Sequence, residues 1–92
     1  MTDNTLKQIE EMACLQFLPA QIATIIGIDP EEFGDECELQ QSPRYHAYIR
    51  GQLKAEAEVR KSIFDMAKHG STPAQKQMLD IIDRNRRQET DA

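Results

Sequence analysis

The stretch Ile22–Glu38, "IATIIGIDPEEFGDECE", decides the fold of this chain. Ala23 is small enough to let two helices cross closely. Gly27, four residues on, tolerates the positive φ of a tight turn. Ile22, Ile26, Ile28 and Phe33 would lock the angle between the helices. Asp29 then offers an N-cap, Pro30 suits the first helical position and Glu32 the third. The pattern predicts a helix-turn-helix, although a plain helical corner shares it. Its second helix holds a contradiction. The stretch carries six carboxylates, Asp29, Glu31, Glu32, Asp35, Glu36 and Glu38, and no Lys or Arg. Glu31 and Glu32 sit near the positive end of the helix dipole, but Asp35, Glu36 and Glu38 gain nothing from it. A helix entering the major groove N-terminus first would press these acids against phosphates. The expectation is a head with helix-turn-helix shape that does not read DNA through this helix. Glu31, Glu32, Asp35, Glu36 and Glu38 are then candidate protein contacts, or the head touches DNA by another face.

Helix signals continue on both sides. All four prolines stand where helices begin. Ser42–Pro43 starts one helix; Thr72, Pro73 and Gln75 form a capping-box pattern for another; Pro19 opens a third without an obvious cap. Gly27 and Gly70 follow apolar-periodic stretches, as C-terminal caps do. No sustained alternation or Asn-Gly signal suggests a strand. The expected fold is all-α, with helices over about 4–17, 19–26, 30–40, 43–69 and 73–88 and a frayed tail "ETDA". In the first, Leu6, Ile9, Ala13 and Phe17 make the inner face. Residues 1–41 form the helix-turn-helix-like head. Residues 42–92 form a long antiparallel helical hairpin, the oligomerisation region, closed by "KHGST".

The chain has 92 residues and a net charge of −5, unevenly spread. Residues 1–41 hold nine acids against one base, Lys7; residues 42–92 hold ten bases and seven acids. Contact with nucleic acid is therefore expected of the C-terminal half. No apolar run approaches the roughly 20 residues needed to cross a bilayer. The N-terminus lacks the pattern of a signal peptide. A cytoplasmic chain is expected, with Cys14 and Cys37 as free thiols, although a disulfide between them is possible.

Helix four has two faces. Tyr45, Tyr48, Ala55, Val59, Ile63 and Met66 fall in one apolar sector, flanked by Ile49 and Ala67 and interrupted by Gln52 and Ser62. Helix five adds Ala74, Met78, Ile81 and Ile82. Two helices cannot bury a face this broad, so it packs on the head or on other subunits. The helix should span about 40 Å, longer than a three-helix head, which favours subunit contact. Tyr45, Tyr48, Ile49, Val59, Ile63, Met66, Met78 and Ile82 are the interface candidates. Opposite them, Arg50, Lys54, Lys61 and Lys68 form a basic stripe, either a polyanion footprint or an ordinary solvated face. Arg84, Arg86 and Arg87 are further DNA-binding candidates, although they point in different directions and suit a helix C-terminus.

In its order of parts, over about residues 6–88, the chain resembles the small subunit of a tailed-phage terminase, the DNA-packaging family. The head "LPAQIATIIGIDPEEF" is followed by "YHAYIRGQLKAEAEVRKSIFDMAKHGSTPAQKQMLDII". The progression Tyr48, Arg50, Gly51, Ala55 to Glu58, His69-Gly70 and Pro73-Ala74 carries the likeness. The resemblance implies a non-catalytic ring-forming homo-oligomer that binds double-stranded DNA and recruits the large ATPase and nuclease subunit. It makes the interface candidates ring-forming positions and turns the basic stripe toward DNA or a neighbouring subunit. Two departures stand out: the acidic head, and an end at Ala92 with little room for the C-terminal segment many relatives use.

No phosphate loop, HExxH or GxSxG motif is present, and neither His46 nor His69 pairs with a cysteine at nucleophile spacing. Asp80 and Asp83, near Lys76 and Arg87, suggest solvated ion pairs. No enzyme, metal, cofactor or membrane contact is expected. The rival functions are a small prophage helix-turn-helix transcription regulator, dimeric on a palindrome, and an acidic protein-interaction module.

Overall fold

A computed structural model describes residues 3–91, with side chains for 4–88. Five α-helices follow one another, and no strand occurs among the described residues: α1 Asp3–Cys14, α2 Pro19–Ile26, α3 Pro30–Leu39, α4 Pro43–Lys68 and α5 Thr72–Asp91. The chain is all-α. It divides into two compact units, Met1–Glu56 and Ala57–Ala92. α4 contributes its first turns to one unit and its last turns to the other.

Local chemistry ends each helix of the first unit. α1 stops at Cys14, three residues before the expected Phe17, because Gln16 takes the left-handed conformation (φ 70°). The Gln16 N–H and side-chain amide both donate to the Ala13 carbonyl (2.9 and 3.4 Å). α2 has half of a capping box: the Leu18 N–H donates to Gln21 Oε1 at 2.9 Å, and Leu18 has no polar side chain to return the bond. Gly27 closes α2 at φ 82°, its N–H and that of Ile28 both donating to the Ala23 carbonyl. Asp29 caps α3 by accepting from the Glu31 N–H at 2.9 Å. Gln40, at φ 55°, ends α3, and Ser42 Oγ then accepts from the Tyr45 N–H at 3.1 Å to start α4.

The core of this unit is Ile9, Ala13, Ile22, Ala23, Phe33, Ala47 and Tyr48, with Leu6, Met12, Phe17, Ile26, Ile28, Cys37 and Ile49 packed around it. Phe33, Ile9 and Ile22 are its largest fully buried side chains. Each contributes about 1.5–3 kcal/mol of apolar burial. The Phe33 and Tyr48 rings meet edge to face, with centroids 6.3 Å apart. The Tyr48 hydroxyl accepts from Gln52 Nε2 at 2.9 Å. Gln52, which interrupts the apolar sector of α4, thus satisfies the hydroxyl of a buried tyrosine. Gly51 lies where α4 crosses α1: a Cβ there would strike the Glu10 carbonyl oxygen and come within 2.7 Å of Ala13 Cβ.

Cys37 and Tyr48 give this unit a pH dependence. Burial pushes the Cys37 thiol above its ordinary value, Glu36 adds to the shift and Arg44 opposes it. Burial, then the Cys37 charge, raises the Tyr48 phenol. Both groups bind protons more tightly folded than unfolded, so their contribution is complete below the unfolded values and lost as pH rises through the folded ones. Urea midpoints are expected to fall above about pH 9. Cys37→Ala with Tyr48→Phe should flatten that decline, which a pH series of unfolding curves measures.

In the second unit, α4 ends in a Schellman turn. The Ser71 N–H donates to the Met66 carbonyl and the Gly70 N–H to the Ala67 carbonyl, both at 3.1 Å, with Gly70 at φ 96°. The α5 cap lies one residue earlier than the sequence pattern suggests. Ser71 Oγ, not Thr72, accepts from the Ala74 N–H at 3.4 Å. The Gln75 amide donates instead to the Ala67 carbonyl at 3.1 Å, tying α5 to the end of α4. Ala67 and Ala74 are buried at this joint. α5 continues as helix through Asp91, into the tail expected to fray.

Candidate functional site

The acidic α3 finds a partner inside its own unit. Arg44, in the first turn of α4, is only 7% exposed. Its Nη2 donates to Glu32 Oε1 at 3.1 Å and to Glu36 Oε2. Its guanidinium carbon lies 5.9 Å from the Phe33 ring centroid, within cation–π range. Burial works against the charge, but the hydrogen bond and charge of Glu36, and then those of Glu32, hold the guanidinium above its ordinary range. Arg44 Nε is buried without a hydrogen-bond partner. Glu36 carries most of this lock, since the Glu32 side chain is 66% exposed and its pair is screened by water. Arg44→Ala is expected to lose about 2 kcal/mol and Arg44→Met clearly less, because Met refills the space and removes the unpaired Nε. Urea unfolding of both variants measures the difference.

The remaining acids of α3, Glu31, Asp35 and Glu38, are exposed. Among the described residues, no ion pair engages them. Their spacing of four and three residues puts them on one helix face.

The basic candidates separate between the units. Arg50 and Lys54 belong to the first, where both face Glu10 of α1: Arg50 Nη1 is 3.6 Å from Oε1 and Lys54 Nζ 3.3 Å from Oε2. Beside this pair lies a groove of about 530 Å³, lined by Lys7, Glu10, His46 and Arg50 over a floor that includes Leu6 and Ala47. Lys61 and Lys68 are exposed in the second unit, with Lys68 in the last turn of α4. Arg84, Arg86 and Arg87 are exposed on α5, and Arg87 pairs with Asp83 at 2.6 Å.

The interface candidates separate in the same way. Tyr48, at 8% exposure, is buried against Phe33 in its own unit. Ile49 packs on the same core, and Tyr45 is half-buried with its ring 5.4 Å from that of His46. In the second unit Val59 and Met66 are 59% and 52% exposed, while Ile63, Met78 and Ile82 are half-buried.

Lys7, Glu10, His46 and Arg44 were not legible as site residues. The partners of Arg44 and Glu10 lie on other helices, and only the isolation of Lys7 in an acidic stretch gave a signal.

Cys14 and Cys37 are free and half-buried. Among the described residues, no group of three or more His, Cys, Asp or Glu side chains is placed to hold a metal ion. Among them, too, no helix is long and apolar enough to cross a membrane. Comparison with known proteins finds no matching family model, curated protein or solved structure.

Proposed function

We propose that this chain is a non-catalytic DNA-packaging accessory protein of the terminase small-subunit kind, which assembles through its second unit, contacts double-stranded DNA and recruits a large ATPase and nuclease subunit. In this proposal α2, Gly27 and α3 make a helix-turn-helix-like head, and α4 and α5 make an oligomerising hairpin. One observation carries it. Among the described residues of the second unit only two alanines, Ala67 and Ala74, are buried, while Val59, Met66 and Leu79 stand more than half exposed. A helical unit of this size with two alanines for a core does not offset its own conformational entropy. Other copies of the same unit would supply the missing apolar contacts, and closed symmetric assembly is the usual outcome for identical chains.

The charge on α3 favours this reading over a transcription regulator. A dimeric regulator would bring Glu31, Asp35 and Glu38 to the major groove, where phosphates repel them. The same exposed carboxylate face also suits an acidic protein-interaction module.

Mass in solution, by light scattering after size exclusion, tests the proposal. A closed ring of many chains is the expected result. Val59→Asp with Ile63→Asp should break it into smaller species, because each new carboxylate would have to be buried in the interface. A wild-type dimer would turn attention to palindromic DNA and the regulator. A monomer at high concentration would overturn the assembly reading.

A further inference from the structure

Met1–Glu56 is an acid-rich unit, with ten carboxylates against four bases. One base, Arg44, is buried with Glu32 and Glu36. The other three, Lys7, Arg50 and Lys54, all lie at or beside the groove between α1 and the start of α4. His46 lines it as well. Every solvent-facing Lys or Arg of a negatively charged unit is therefore gathered in one place. Only Glu10 pairs with them among the described contacts, one carboxylate oxygen toward Arg50 and the other toward Lys54.

Gly51 makes this arrangement possible. It lets the α1 backbone approach α4 closely at Glu10, between the two bases that Glu10 faces. The Arg50 and Lys54 side chains remain 63% and 60% exposed. Exposed ion pairs of this kind are weak and exchange readily with other anions. The groove is lined by the Arg50 guanidinium, the Lys7 ammonium and the His46 imidazole, and the Lys54 ammonium lies beside it on the second oxygen of Glu10. The geometry thus resembles a site occupied by an internal stand-in for its ligand.

We infer that the α1–α4 groove binds the phosphodiester backbone of double-stranded DNA, and that Glu10 is its built-in competitor, displaced from Arg50 and Lys54 when phosphate arrives. The inference rests on the DNA-contacting role proposed above and relocates that contact. Phosphate meets α1 and the start of α4 in the first unit, and not the acidic α3. Contact of this type carries no base sequence information by itself. Lys61 and Lys68 are not needed for it.

The test uses the full chain and two probes, a short double-stranded DNA followed by fluorescence anisotropy and inorganic pyrophosphate followed by NMR of the Lys, Arg and His side chains. Glu10→Gln keeps the shape and removes the competitor. It is expected to tighten both probes about three- to tenfold, since two exposed ion pairs no longer need to be broken. Lys7→Gln, Arg50→Gln and Lys54→Gln should each weaken DNA binding by a similar factor and lower the salt slope by about one. Unchanged melting temperatures would show that these exposed positions act on binding and not on folding.

DNA binding that ignores both Glu10→Gln and Arg50→Gln would overturn the groove while leaving the DNA-packaging proposal standing. Pyrophosphate shifts at Lys7, Arg50 and Lys54 that tighten in Glu10→Gln, with no DNA bound by either protein, would establish an anion site and overturn its assignment to DNA. Silence from both probes would overturn the site and the DNA contact together.

Discussion

Phe33→Ala is expected to destabilise the first unit by about 3–5 kcal/mol, the range for removing a fully buried aromatic ring. Phe33 joins α3 to the start of α4. It is fully buried, its edge meets Tyr48 of α4, and the Arg44 guanidinium lies over its face. Truncation leaves a cavity and removes the aromatic contact, worth about 0.5–1.5 kcal/mol beyond burial. It also takes away the ring against which the Arg44–Glu36 pair is packed. A chain of this length has a total stability of about 5–14 kcal/mol, so the variant should melt far below the parent. Phe33→Leu keeps most of the volume and should lose only part of this. Urea denaturation followed by circular dichroism gives both values. Equal losses for Ala and Leu would show that ring contacts, not volume, hold α3 to α4.

Gly51→Ala is expected to lose about 2–4 kcal/mol, although alanine is the better helix former by about 1 kcal/mol. The two effects oppose each other, and the packing decides. The new Cβ would strike the Glu10 carbonyl oxygen and sit 2.7 Å from Ala13 Cβ. A flexible side chain could move aside, but the Glu10 carbonyl belongs to the α1 backbone. Relief therefore requires α1 and α4 to separate, which opens the core at Ile9 and Ala13. Adding Ala13→Gly should recover little, because the backbone clash remains. Full recovery in that double variant would mean that the side-chain contact, not the backbone contact, sets the crossing. Separation of the helices should also pull Glu10 away from Arg50 and Lys54, so Gly51→Ala links fold to groove.

Helix boundaries were legible because their causes are local. Asp29, Pro30, Gly27 and Ser42 each act on backbone groups within a few residues, and α2 runs over Pro19–Ile26 as its proline and glycine indicate. The apolar periodicity of α1 picked out Ile9 and Ala13 for the core, and the helix-turn-helix pattern picked out Ile22 and Phe33. Where local signals competed, the reading slipped. Gln16 gave no warning that it would turn left-handed and end α1 early. The sequence pattern put the α5 cap at Thr72, and the Schellman turn at Gly70 placed Ser71 in that role instead.

The wheel of α4 shows the limit of that logic. It grouped Tyr48 with Val59 and Ile63 because pitch alone relates them. Burial separates them, because Tyr48 has Phe33 of α3 to pack against and Val59 lies in a unit with almost no core. The wheel likewise aligned Arg50 and Lys54 with Lys61 and Lys68, but could not show that Glu10, forty-four positions before Lys54, would meet the first two.

What the sequence determined by itself is therefore the all-helical class, most helix ends and the apolar side of each helix. All of these follow from interactions within one or two turns. Tertiary structure alone decided what the charges do. Arg44 turns two of the α3 acids into a lock, Gly51 brings Glu10 against Arg50 and Lys54, and Lys7 joins the same groove. A carboxylate in a sequence has no partner until two helices cross, and the crossing is set by the few small residues that let their backbones touch.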